Sequence, residues 1–147
     1  MSNKPVAEKL RYVLADTYSL YLKTQSYHWN VEGGNFSQLH AMFQDQYTDL
    51  ATAIDDTAEH IRALGEKVSA GFERFKKITI IKDGDETLCS AAMVEDLASD
   101  QEKITETLQA TFDIAEKSKD QVVMDFMIQR MAVHRKNKWM LESSLPR

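Results

Sequence analysis

Two histidines and two carboxylates are the side chains of this sequence best suited, by type and spacing, to bind a metal ion. His28 and His40 flank the double glycine Gly33-Gly34, and Asp55 and Glu59 follow further along the chain. Imidazole nitrogens and carboxylate oxygens are ligands that iron, zinc and manganese accept in proteins. Whether the four can meet at one ion depends on the helices that carry them.

The two histidines lie on opposite arms of a predicted helical hairpin. Apolar residues recur in steps of three and four up to about residue 31, which predicts a helix with His28 on its inward stripe. A second helix begins near Phe36 after the glycine break. His28 lies six residues before Gly34 and His40 six residues after it. The two imidazoles are therefore expected at similar depth in one subunit.

The carboxylates form a second, separate pair. Asp55 and Glu59 are four residues apart, so they share one face of the second helix. Asp55 lies fifteen positions after His40, which is about 22 Å along a helix axis. No single metal ion can span that distance within one chain.

A two-fold dimer would join the pairs. If the second helix packs antiparallel against its copy near residues 48–49, position 40 faces roughly position 57. His28 and His40 of one subunit then meet Asp55 and Glu59 of the other, in a mixed site suited to iron, with zinc or manganese as competitors. Two plainer interpretations stay open at this point: an inward histidine is usually a core or interface residue, and such a carboxylate pair is usually a solvated face.

The remaining periodicity predicts an all-α fold. Long helices are expected at about residues 5–31, 36–64, 90–118 and 121–145, with a short one at 70–75 in the connection between helices two and three. Ser2 or Asn3, Ser90 and Asp120 are the expected N-terminal caps, and Gly65 the end of the second helix. Four amphipathic helices with one long crossover are typical of a ferritin-like four-helix bundle, here one domain over residues 1–147.

Composition limits the location and the partners. The 147 residues suffice for one domain, and the net charge is −5. No apolar run approaches the ~20 residues that span a bilayer, and no signal peptide is recognisable, so with the single Cys89 we expect a cytoplasmic protein without contact to a membrane. An acidic surface repels DNA unless a basic patch is set apart. The candidates for such a patch are Lys4, Lys9 and Arg11, and the run Arg135-Lys136-x-Lys138.

The residues around both pairs resemble the signature of the Dps proteins, the mini-ferritins named for DNA protection during starvation. The resemblance covers nearly the whole chain, and its specific part is His28-Trp29-Asn30-Val31-x-Gly33-x-x-Phe36-x-x-Leu39-His40-x-x-Phe43, then Tyr47-x-x-Leu50, then Asp55-x-x-Ala58-Glu59-x-Ile61-Arg62-x-Leu64-Gly65. Trp139-Met140-Leu141 near the end is similar as well.

The resemblance implies a hollow homododecamer with ferroxidase centres shared across two-fold interfaces. By position, His28 and His40 come from one subunit, and Asp55 and Glu59 from its partner, around two irons per centre. Fe(II) would be oxidised there, preferably by hydrogen peroxide, and Fe(III) stored as a mineral. Such chemistry would protect DNA without touching it, and the protein would be nucleoid-associated only if it binds DNA directly.

Two departures from the family pattern concern the site. Gln44 stands where members often carry a carboxylate four residues after the second histidine, so the second iron is expected to bind weakly or through water. His60 stands where members often carry arginine, and we expect it, like His134, not to be a ligand. No Glu-x-x-His motif occurs in the sequence, which disfavours the internal di-iron site of other ferritins.

Further roles stay open on the sequence alone. Trp29 is either a local quencher of radicals or an interface aromatic. The carboxylates Asp113, Glu116, Asp120 and Asp125 either line iron-entry pores or are caps and solvated positions. Two other functions compete with the ferroxidase: a nucleoid-binding protein that protects DNA by coating it, and a shell that has lost iron chemistry, which Gln44 would favour.

Overall fold

Four long helices and one short helix make up the fold, and no strand occurs among the residues that the structure describes. The computed structural model describes residues 3–146. The helices are α1 (Lys4–Asn30), α2 (Phe36–Ala63), α3 (Phe72–Ile78), α4 (Ser90–Lys117) and α5 (Gln121–Ser143). The predicted all-α bundle is confirmed, including a short extra helix in the long crossover. Within residues 3–146, no helix is both long and apolar enough to cross a membrane.

The bundle consists of two helical hairpins, α1–α2 and α4–α5, joined mainly through α1 and α4. Two apolar clusters fill it. One, near the α1–α2 turn, includes Leu20, Tyr27 and Phe43, and the other, toward the opposite end, includes Leu10 and Ile61. Apolar residues at helical spacing on the four long helices supply both clusters.

Buried polar groups on α5 bond to neighbouring helices between these clusters. Arg130 donates two hydrogen bonds to the Asp49 carboxylate, at 2.9 and 3.2 Å. His134 is 1 % exposed and donates from Nδ1 to Oε1 of Gln101 at 2.7 Å. Burial, and then the nearby positive charge of Arg130, lower the pKa of His134 to about 3. His134 is therefore a neutral structural residue, as the sequence predicts.

The long crossover is tied to the bundle by side chains of α1. Asp16, 1 % exposed, accepts hydrogen bonds from Thr79 Oγ1 (2.7 Å), the Ile80 amide (3.0 Å) and Thr107 Oγ1 (2.7 Å). Tyr27 donates from its hydroxyl to Asp96 and accepts from the Asp85 amide. The bonds from Thr79, Ile80 and Asp85 fix the crossover, which has little regular structure of its own.

Several local predictions need correction. The N-cap of α4 is Cys89, whose side chain makes no capping bond within the described part of the chain, and Ser90 is the first helical residue. Asn3 is the N-cap of α1, again without a side-chain bond among residues 3–146, and Ser2 lies outside them. The cap at Asp120 is confirmed, because its carboxylate accepts from the Val123 amide. The short helix lies at 72–78 and not at 70–75.

The inward stripe of α2 expected from helical spacing faces the core only in part. It consists of Phe36, His40, Phe43, Tyr47, Leu50, Ile54, Ala58 and Ile61. Phe36 is 39 % exposed, and His40 and Tyr47 are only half-buried. The fully buried line of α2 is Leu39, Phe43, Gln46, Leu50, Ala53, Thr57 and Ile61. Phe43, Leu50 and Ile61 are thus buried as expected, whereas the other members of the expected stripe lie on a partly exposed flank of α2.

We predict that Gly84→Ala destabilises the fold, because a Cβ at Gly84 would lie 2.8 Å from Cε1 of Tyr27. That ring is buried and its hydroxyl is held by Asp96, so it cannot move aside freely. The expected loss in free energy of unfolding is about 1 to 3 kcal/mol, measured by urea denaturation. Gly34→Ala is the matched control, since its Cβ would meet nothing within 4 Å. Equal stability of the two variants would contradict the packing described.

We also predict that His134 makes the fold sensitive to acid. Its pKa is about 3 in the folded chain and about 6.5 as a free side chain, so only the unfolded chain takes up this proton between those values. Stability is full above pH 6.5 and falls as the pH drops toward 3. At pH 4.5 the loss is about 3 kcal/mol. His134→Gln keeps a donor for Gln101 and should flatten the pH profile of the urea midpoint, whereas parallel profiles would refute this role.

Candidate metal centre

His28 and His40 hold each other across the α1–α2 hairpin. His28 Nδ1 donates to the backbone oxygen of His40, and His40 Nδ1 donates to the backbone oxygen of His28, both at 2.7 Å. A carbonyl oxygen can only accept, so each Nδ1 carries a proton. In the neutral ring this leaves Nε2 as the free nitrogen with a lone pair. The pair thus presents two nitrogens of the kind that bind metals, with their tautomer already set.

Neighbouring aromatic rings fix the orientation of the histidine pair. The two imidazoles stack with centroids 3.7 Å apart and planes 13° apart. Phe36 stacks on His40 at 4.9 Å, and Tyr47 meets His28 edge-on at 5.1 Å. His28 is 6 % exposed and His40 half-buried. The rings have little freedom to rotate, so a metal would find both nitrogens already placed.

The turn between the helices explains why the histidines meet. The helix α1 ends at Asn30, and Gly33 has a φ of +120°, a conformation that favours glycine. The Phe36 amide then donates to the Gly33 carbonyl at 3.1 Å, where α2 begins. Each histidine lies within about a turn of its helix end. The sequence expectation that the two imidazoles share one small region is confirmed.

The carboxylate pair lies on an exposed face of α2. Asp55 and Glu59 are both exposed, and the charge of Asp55, followed by a hydrogen bond between the two side chains, raises the pKa of Glu59. Two carboxylates held this close repel each other when both are ionised. A cation bound between them would remove that repulsion, so the pair is suited to a positive ligand.

The histidine pair and the carboxylate pair remain separate within one subunit. Among residues 3–146, no group of three or more His, Cys, Asp or Glu side chains could hold a metal ion. This agrees with the helix arithmetic, which separates the pairs along α2. Gln44, the position of the missing carboxylate, is exposed. Within the described part of the chain, the two pairs are therefore separate groups of candidate ligands.

Other candidate residues have structural contacts. His60, expected to be an exposed or interface histidine and not a ligand, is half-buried and stacks on Phe126, with centroids 4.4 Å apart. Asp120 caps α5. Trp29 is 62 % exposed. The sequence analysis did not assign Phe36 and Tyr47 to the site, although they lie four residues before and seven after His40, a spacing that places them on one helix face.

Comparisons with known proteins agree with this architecture. Residues 7–147 match the family model for the ferritin-like domain. The chain is 34% identical over 143 residues to DNA protection during starvation protein 2 of Bacillus anthracis, covering 97% of this chain and 98% of that protein.

Solved structures superpose closely as well. The crystal structure of a Dps protein from Bacillus brevis gives a TM-score of 0.93 at 30% identity, over 96% of this chain and 95% of that one. The Dps protein from Vibrio cholerae O1 is described as a member of a broad superfamily of ferritin-like diiron-carboxylate proteins. Its structure gives a TM-score of 0.91 at 27% identity, over 96% of this chain and 89% of that one.

Proposed function

Because this chain belongs to the Dps family of ferritin-like proteins, we propose that it oxidises Fe(II) at centres shared between two subunits and stores Fe(III) inside a hollow dodecamer. Hydrogen peroxide is the preferred oxidant, and its removal together with Fe(II) protects DNA. The observation that carries the proposal is the histidine pair, whose two free Nε2 atoms are oriented by reciprocal hydrogen bonds.

In this proposal each centre takes its ligands from both subunits. His28 and His40 supply nitrogens, and Asp55 and Glu59 of the partner subunit supply oxygens. Nitrogen and carboxylate ligands together suit iron. The carboxylates also offset the positive charge of the incoming Fe(II), and the stacked imidazoles hold it at one position. Two Fe(II) ions each give one electron to a peroxide molecule, which with two protons becomes two waters, so no hydroxyl radical is released.

Exposed apolar side chains, two of which (Leu22 and Phe72) line one groove, support pairing with a second copy. Leu22 and Trp29 on α1, Phe72 on α3 and Ile80 in the crossover are 46 %, 62 %, 74 % and 46 % exposed. Large apolar side chains left in water commonly indicate an interface. The same subunit offers both half-sites, so a two-fold contact would complete two centres at once. The amide of Gln44 carries no charge, so the second iron is held more weakly than the first.

We predict that two inactive variants restore activity when combined. The first carries His28→Asn and His40→Asn, which keep an N–H donor near each carbonyl but remove Nε2. The second carries Asp55→Asn and Glu59→Gln. A mixed dimer has one centre with all four ligands, so random pairing restores about a quarter of the wild-type centres. Initial rates of Fe(III) formation, followed by absorbance after co-refolding, measure the recovery.

The controls are the two variants refolded alone, with the assembly checked by size-exclusion chromatography. Each variant should form particles of the same size as the wild type and should lack fast Fe(II) oxidation. If the mixture stays as inactive as its parents, the ligands do not come from two subunits. If the histidine variant alone retains the wild-type rate, the proposed centre is wrong altogether.

Direct coating of DNA is the competing function, and the basic side chains give it little support. Arg11 is paired with Glu8 at 3.1 Å. Lys138 is paired with Glu102 at 2.5 Å, and with Glu142. Such pairing lowers the charge available to phosphates, on a chain whose net charge is −5.

We therefore predict that the protein does not retard plasmid DNA in a gel-shift assay at physiological salt. The same assay at low salt is the positive control, because non-specific contacts with DNA phosphates strengthen as the salt concentration falls. Strong retardation at physiological salt that disappears when Lys4, Lys9 and Arg11, or Arg135 and Lys136, become alanine would make coating the leading function.

A further inference from the structure

A continuous line of aromatic rings leads away from the histidine pair. Tyr47 meets His28 at 5.1 Å, Tyr21 meets Tyr47 at 5.9 Å and Tyr18 meets Tyr21 at 5.9 Å, all edge-on. Tyr18 in turn contacts Phe75 at 5.4 Å on α3. The line therefore connects the candidate centre with the crossover helix through neighbouring π systems.

The three tyrosines are not simply core filling. All three are partly exposed. The chain has five tyrosines. Of the other two, Tyr27 donates its phenol hydrogen to Asp96, and Tyr12 lies on the surface beside Lys9. Three of the five phenols thus form one row of contacting rings, and the first of them, Tyr47, contacts His28.

We propose that Tyr47, Tyr21 and Tyr18 form a relay that carries a one-electron oxidising equivalent from the histidine pair to the α3 side of the subunit. The inference rests on the proposed function, which supplies Fe(II) and peroxide at His28 and His40. The relay operates in turnovers in which only one Fe(II) is bound. The neutral Gln44 favours this state because it weakens the binding of the second iron.

The chemistry balances at each step. One Fe(II) and one peroxide give Fe(III), hydroxide and a hydroxyl radical. Tyr47 gives up its phenolic hydrogen atom, so the radical becomes water and Tyr47 becomes a tyrosyl radical. Tyr21 then loses an electron and its phenolic proton while Tyr47 regains both, and Tyr18 does the same for Tyr21.

The relay ends at Tyr18. Its next ring neighbours, Phe72 and Phe75, have no hydroxyl and are harder to oxidise. Tyr18 also lines a groove of about 600 Å³ beside α3 that is open to solvent. Trp29, the sequence neighbour of His28, makes no ring contact with the three tyrosines in the described part of the chain and is 62 % exposed. The radical is thereby moved away from the metal ligands.

The test is freeze-quench electron paramagnetic resonance after peroxide is added to the assembled protein with one Fe(II) per centre. We expect a tyrosyl signal in the wild type and its loss in Tyr47→Phe, which keeps the ring but has no phenol. Tyr21→Phe and Tyr18→Phe should change the line shape, because the radical stops on an earlier ring. Tyr12→Phe is the matched control and should leave the signal unchanged.

Iron oxidation, followed by Fe(III) absorbance in the same samples, separates the two proposals. Fast oxidation with no tyrosyl signal, or with a signal that survives Tyr47→Phe, overturns the relay and leaves the ferroxidase standing. Equal loss in Tyr12→Phe and Tyr47→Phe also overturns it. Absence of fast oxidation in the wild type overturns the proposed function, and the relay with it.

Discussion

Two reciprocal hydrogen bonds between His28 and His40 depend on the fold and orient the nitrogens proposed to bind iron. Each ring is held by the backbone of the other helix at 2.7 Å, so the α1–α2 hairpin must keep its register for either ring to be oriented. The same two bonds place a proton on both Nδ1 atoms and leave both Nε2 atoms free. Loss of the hairpin geometry would break both hydrogen bonds and separate the two Nε2 atoms.

The rest of the bundle maintains that geometry from a distance. Asp16 and Tyr27 on α1 accept three hydrogen bonds from the crossover and make two more to α4, and Arg130 ties α5 to Asp49 on α2. Other ferritins hold iron inside the bundle through Glu-x-x-His motifs. Here the interior contains a guanidinium cation and the neutral His134, whose depressed pKa reflects its burial. In the proposed function iron binds instead at the surface, where a second subunit would complete the ligands.

Periodicity was sufficient to predict the helices and the meeting of the two histidines, because an antiparallel hairpin with a known turn has little geometric freedom. It was not sufficient for the caps or the exposed flank of α2. Ser90 has a common capping side chain, yet it is the first helical residue and Cys89 occupies the N-cap position. Phe36 is apolar and in register, yet 39 % exposed. A single sequence reports which residues share a face, but not whether that face meets its own core, another subunit or water.

Anomalous diffraction from crystals soaked anaerobically in Fe(II) would show whether the histidine pair and the carboxylate pair of two subunits close around iron. We expect an anomalous peak at the iron edge between Nε2 of His28 and His40 in one subunit and the carboxylates of Asp55 and Glu59 in its two-fold partner. A second, weaker peak toward Gln44 would fit the missing carboxylate. Iron bound elsewhere, or no iron between the two pairs, would rule out the shared centre.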